Sequence, residues 1–121
     1  MRAIKTHRVE GLPSDHEINI YATDDPGPGG AHHRYSFTCS CGRLGEVPFQ
    51  KGGVQKPSDV NGLTNEALLA VVIDRLECFQ AGPFPCLEND IALTNCREAL
   101  AVLKARTAGR LVRGVEGKEE V

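Results

Sequence analysis

The sequence predicts an α+β fold: a small N-terminal antiparallel β-sheet, then a C-terminal antiparallel two-helix hairpin, assembled as a homo-oligomer. Three observations carry this. Segments of the first half alternate polar and apolar residues with the two-residue period of a half-buried strand. The second half carries two apolar stripes with helical spacing, Leu69, Val72, Leu76, Phe79 and Leu93, Cys96, Leu100, Leu103. Glycine and proline clusters fall between these segments and not inside them. The chain reads as one domain over 1–121, with a β portion (1–60), a hairpin with a basic end (61–113) and a tail (114–121).

Glu17-Ile18-Asn19-Ile20-Tyr21-Ala22 alternates and predicts the first strand. Asp24-Asp25-Pro26-Gly27-Pro28-Gly29-Gly30 cannot hold regular structure and predicts a loop. His33 to Cys39 alternates again, with Tyr35, Phe37 and Cys39 on one face. Gly45 to Gln50 predicts a third strand, and Pro48 suits an edge, where no ladder N–H is needed. Lys51 to Asp59, polar and broken by Gly52, Gly53 and Pro57, predicts a second loop.

Asn61-Gly62-Leu63 makes a turn, and Thr64 is a good N-cap, with Glu66 in the first turn facing the positive end of the dipole. Gly82 ends this first helix, and Pro83 and Pro85 prevent its continuation. The second helix starts near Cys86–Leu87, with Glu88 and Asp90 in its first turn. Two amphipathic helices joined by about five residues form an antiparallel hairpin.

Composition excludes several function classes. A 40% apolar and 25% charged chain is neither disordered nor membrane-embedded, and no apolar run reaches the ~18–20 residues of a bilayer span. Met1 to Arg8 is basic but lacks a following apolar stretch, so no secretory signal is expected. Five cysteines without such a signal suggest free thiols in a reducing compartment. A net charge of −2 argues against binding a DNA or RNA polymer.

The charge is unevenly placed. Residues 61–96 set Arg75 against Glu66, Asp74, Glu77, Glu88 and Asp90, a balance of −4, whereas 97–113 set Arg97, Lys104, Arg106, Arg110 and Arg113 against Glu98, a balance of +4. A local basic end suits one small anionic ligand, although cations near a helix C-terminus also complement its dipole. Phe79 and Asn89 flank the hairpin turn, and Arg106 lies seventeen residues beyond Asn89, roughly 25 Å along a helix. One small ligand cannot touch both clusters within a protomer. A site using both is therefore expected between subunits of an oligomer, which would also cover the apolar surface that so small a fold leaves exposed.

Other chemistries find weaker support. Pro26-Gly27-Pro28-Gly29-Gly30-Ala31 lacks the Gly-Lys-Ser/Thr ending of a P-loop, and its prolines remove N–H donors, so a rigid connector is the better reading. Cys39-Ser40-Cys41 with His32 and His33 could supply zinc ligands, but no second cysteine pair with the spacing of a structural site exists, and no metal or cofactor is expected. No nucleophile motif accompanies the four histidines, His7, His16, His32 and His33, so catalysis is not expected. Cys78, Cys86 and Cys96 read as structural thiols.

Asn61-Gly-Leu-Thr-Asn-Glu-Ala-Leu-Leu-Ala-Val-Val-Ile-Asp-Arg-Leu and Phe79-Gln-Ala-Gly-Pro-Phe-Pro-Cys-Leu-Glu-Asn-Asp-Ile-Ala-Leu-Thr resemble a phage family, the first-described Thoeris anti-defence sponges. So do Asp24 to Tyr35 and the ending Arg113-Gly-Val-Glu-Gly. The helical hairpin is shared with the phage anti-CBASS sponge. The resemblance covers residues 7–36 and 61–117 and does not extend to 37–60, which include Cys39 and Cys41. It implies a homo-oligomer, expected as a hexamer, in the cytoplasm of the infected host. Such proteins sequester glycocyclic ADP-ribose, made from NAD by bacterial TIR-domain enzymes, without cleaving it; some also bind cyclic trinucleotides at separate sites. It implies Phe79 stacked on adenine, Asn89 on polar edges and Arg106 on the pyrophosphate, with Arg110 and Arg113 as further phosphate contacts. The alternative is a phosphodiesterase that degrades the same messenger.

Overall fold

The computed structural model describes residues 1–11, 18–116 and 118. The start of the first expected strand at Glu17, the histidine at 16 and most of the tail past Glu116 lie outside the described residues. The chain divides into two compact units, Met1–Leu63 and Thr64–Val121.

The first unit is a four-stranded antiparallel sheet in sequential order: β1 (Arg2–Ile4), β2 (Asn19–Ala22), β3 (Arg34–Cys39) and β4 (Gly42–Pro48). β1 was not expected; three residues are too few to display a two-residue period. β4 begins at Gly42 and ends at Pro48, earlier than the 45–50 expected, because the β3–β4 turn is only two residues long. Pro48 sits on the edge strand, as its missing N–H requires. Register places Ile4, Ile20 and Phe37 in one row and Ala22, Tyr35 and Val47 in the next, on the same face. Ala22 is buried at its centre. The opposite face carries Tyr21, Ser36 and Glu46. There Glu46 accepts from Arg34 at 3.1 Å and from Arg43 at 2.7 Å. The Arg34 hydrogen bond, more than the two nearby positive charges, holds the Glu46 carboxyl below its ordinary range.

Past β4, Phe49 stacks edge-on against Tyr35 with ring centroids 5.5 Å apart. The chain returns through Leu63, whose N–H reaches Pro48 O and whose carbonyl accepts from Gln50. Gly62 makes this possible: a Cβ there would lie 2.4 Å from the Phe49 carbonyl carbon. Asn61 bridges the Lys51 N–H and C=O with its amide, both at 2.8 Å.

The second unit is the hairpin of α1 (Asn65–Ala81) and α2 (Leu87–Arg113). Thr64 Oγ1 accepts the Ala67 N–H at 3.1 Å, the expected N-cap. Gly82 ends α1, and the Gln80 amide clamps the turn, donating to Cys86 O at 2.9 Å and accepting the Cys86 N–H at 3.1 Å. Gly114 closes α2 in the left-handed conformation (φ 73°), its N–H reaching the Arg110 and Leu111 carbonyls.

The α2 stripe Leu93, Cys96, Leu100, Leu103 faces inward. The α1 stripe does not run as expected. Leu69, Ile73, Leu76 and Gln80 form its buried side, whereas Val72 and Phe79 are 42% and 53% exposed. Adjacent Val72 and Ile73 fit a helical period equally well, so the pattern could not phase the stripe. Among the described residues, no helix is long and apolar enough to cross a membrane.

Candidate ligand-binding site

The site residues expected from the sequence all lie in the hairpin. Phe79 is two residues from the end of α1 and Asn89 is the third residue of α2, so both stand at the turn end. Phe79 presents its ring outside the helix seam, and the Arg75 guanidinium lies over it, 5.4 Å from the centroid. Arg75 was missed by sequence reasoning. It is the only cation in 61–96 and stands four residues before Phe79, the spacing of helical neighbours, which is the signal that could have found it.

Arg106 is exposed in α2, and the helix runs unbroken from Asn89 to it, so the roughly 25 Å of rise between them holds. The turn end and Arg106 are not brought together within one protomer. α2 is ten residues longer than α1, about 15 Å, so its last turns with Arg110 and Arg113 continue past the start of α1.

Arg110 and Arg113 differ. Arg113 is exposed. Arg110 is only 7% exposed and faces its own C-terminal segment: Nε donates to Glu116 at 3.0 Å and a terminal nitrogen donates to the Val115 and Lys118 carbonyls, each at 2.9 Å. Its guanidinium closes the end of α2, so reaching a phosphate would require opening that turn. Arg97 is paired with Glu77 across the hairpin at 3.6 Å.

The turn end also exposes apolar side chains. Phe84, Leu87 and Ile91 stand in solvent there, and Val102, Leu111 and Val112 do so further along α2. The hairpin's own seam leaves them uncovered.

The glycine loop has another character. Gly27 N–H reaches Ala31 O at 2.9 Å and Gly30 N–H reaches Gly27 O at 2.8 Å, so these donors are turned inward and not toward an anion. Asp24 organises the loop by accepting the His33 and Arg34 N–H groups. Desolvation works against its charge, but those two amides, its own N–H and the nearby His32 together outweigh it and hold the carboxyl below its ordinary range. His32 and His33 are engaged with the Asp24 and Pro28 carbonyls. Beside this loop a shallow concavity of about 290 Å³ is lined by Arg34, Phe49, Lys51 and Asn61 among others. It was not foreseen, because residues from four separate segments form it. Among the described residues, no three histidine, cysteine or acidic side chains converge as metal ligands.

The arrangement can therefore offer a small ligand an aromatic face with a cation at one end of the hairpin and unburied guanidinium groups at the other. The family model for the Acb2/Tad1 hairpin domain matches residues 46–108, which include Phe79, Asn89 and Arg106 but not Arg110 or Arg113. A relative is Thoeris anti-defense 1 of Bacillus phage SBSphiJ7, 45% identical over 94 residues. That alignment covers 78% of this chain and 66% of the relative, so the chain spans slightly under two thirds of that protein's length. With the matched region extending over more than half of the chain, and the helix pair present as α1 and α2, the chain belongs to the Acb2/Tad1 hairpin family.

Proposed function

We propose that the protein is a phage-encoded sponge that binds a glycocyclic ADP-ribose-type immune signal and holds it without cleavage, blocking Thoeris defence in the infected host cell. The observation that carries this is membership of the hairpin family, reinforced by 45% identity to a Thoeris anti-defence protein. Phe79 stacks on the adenine, with the Arg75 guanidinium over its ring adding positive charge. Asn89 meets polar edges of the base or ribose. Arg106, supplied by a neighbouring protomer, grips the pyrophosphate with its planar fork. Arg113 is a further phosphate contact, and Arg110 joins only if its turn to Glu116 opens.

The sites lie between subunits of a homo-oligomer, for which a hexamer is the proposed state. The exposed Phe84, Leu87 and Ile91 support this, since a monomer would leave them partly in water, forgoing at most about 1.5–3 kcal/mol each. Cyclic trinucleotides are proposed as second ligands at separate sites. No cofactor takes part.

The experiment is a mass balance. Protein mixed with glycocyclic ADP-ribose should deplete it from solution, and heat denaturation should return it intact; recovery of a hydrolysed product would replace the sponge with a phosphodiesterase. Phe79→Ala and Arg106→Glu should each abolish depletion while leaving the oligomer intact on gel filtration. Depletion at the wild-type level by both would place the site elsewhere.

A further inference from the structure

The β3–β4 turn holds an arrangement that nucleotide binding does not use. Cys39 pairs with Gly42 across the ladder, leaving Ser40 and Cys41 as a two-residue turn. Gly42 takes a positive φ of 128°, which a side chain would oppose. This geometry folds the backbone around the first sulfur. It brings the Cys41 thiol within hydrogen-bonding reach of Cys39 Sγ, and with it the N–H groups of Cys41 and Gly42. Three donors on one sulfur stabilise its negative charge, and the Cys39 thiol is accordingly pulled below its ordinary range. Cys41 is pushed up, because it donates to that sulfur and feels its charge. Both cysteines are free, Cys41 is exposed and Cys39 half-buried.

We propose that the Cys39–Ser40–Cys41–Gly42 turn is a thiol–disulfide exchange site for small-molecule disulfides, with Cys39 as the attacking residue and Cys41 as the resolving one. In the first step Cys39, having given its proton to solvent, attacks one sulfur of the disulfide through Sγ. A bond forms between them, the small molecule's S–S bond breaks, and its other half leaves as a thiolate that takes a proton from water. The mixed disulfide has removed the charge that held the Cys41 proton. Cys41 then loses that proton to solvent and attacks Cys39 Sγ; the Cys39–Cys41 bond forms and the second thiolate departs. Two protein thiols are oxidised by two electrons and one small disulfide is reduced to two thiols. With one residue between the cysteines the ring is tight, so the product is readily reversed by a reducing thiol.

The test treats the full chain with oxidised glutathione at neutral pH, alkylates the remaining thiols and maps tryptic peptides. Cleavage at Arg34 and Arg43 isolates Cys39 and Cys41 together, away from Cys78, Cys86 and Cys96 between Arg75 and Arg97. The wild-type peptide 35–43 should lose two hydrogens and escape alkylation, at least about threefold faster than the hairpin cysteines acquire glutathione. Cys41→Ser should stop with glutathione on Cys39, and Cys39→Ser should leave Cys41 no faster than Cys78. Alkylation of Cys39 and Cys41 while the hairpin cysteines react would overturn the assignment, as would glutathione accumulating on wild-type Cys39 without an internal disulfide.

Discussion

The two units of this chain are held together by different means. The sheet unit rests on half-buried apolar rows plus a dense set of polar contacts: Asp24 on two amides, Asn61 on Lys51, Gln50 on Asp59 O at 3.0 Å. Its exposed large apolar residues are scattered. The hairpin has a thin seam in which Ile73 and Leu93 are the buried apolar residues, and it exposes apolar side chains along both helices. A unit that satisfies its own polar groups is close to self-sufficient. A helix pair that leaves Phe84, Leu87 and Ile91 exposed is not self-sufficient in that way, and the proposed shared ligand site lies on this second kind of surface.

Removing the seam should have the largest effect. Leu93→Ala leaves a cavity in the only layer between α1 and α2, and should cost about 2–4 kcal/mol in denaturant unfolding. Gly62→Ala tests the sheet unit through backbone approach: its Cβ must displace the Phe49–Gln50 backbone, at about 1–3 kcal/mol. An unchanged melting point for this variant would mean the Phe49–Leu63 closure contributes nothing. Thr64→Ala removes the side-chain acceptor of the Ala67 N–H and should cost about 1 kcal/mol.

The smallest effect is local and pH-dependent. The folded pKa of Asp24 lies below its ordinary 3.8, so its contribution is present above that value and is lost as pH falls through the folded one. Exchange protection of the His33 and Arg34 amides should therefore fall at acid pH, and Asp24→Asn should remove that dependence. Equal protection at every pH would detach the loop from this carboxylate.

The hairpin was the most legible part of the sequence, because caps and breakers act locally: Thr64, Gly82, Pro83 and the acids after Cys86 mark its ends where the structure has them. Phasing was not legible, since which of Val72 and Ile73 turns inward depends on the partner helix. β1 was too short to register, and Arg110 looked like its neighbours until the chain after Gly114 folded back onto it. Spacing places Phe79 among core positions and the resemblance makes it a ligand contact; its exposed ring does not fit the first. The concavity beside Phe49 joins residues distant in sequence, which no local pattern encodes.

The central claim, a messenger held between protomers by Phe79 of one and Arg106 of another, is tested most directly by subunit mixing. Phe79→Ala and Arg106→Glu chains, each inactive alone, should be co-expressed and the mixed oligomers titrated with glycocyclic ADP-ribose. Random assembly gives about a quarter of the interfaces an intact pair, so about a quarter of wild-type capacity should return. No recovered binding from mixed oligomers of normal size would contradict a shared site.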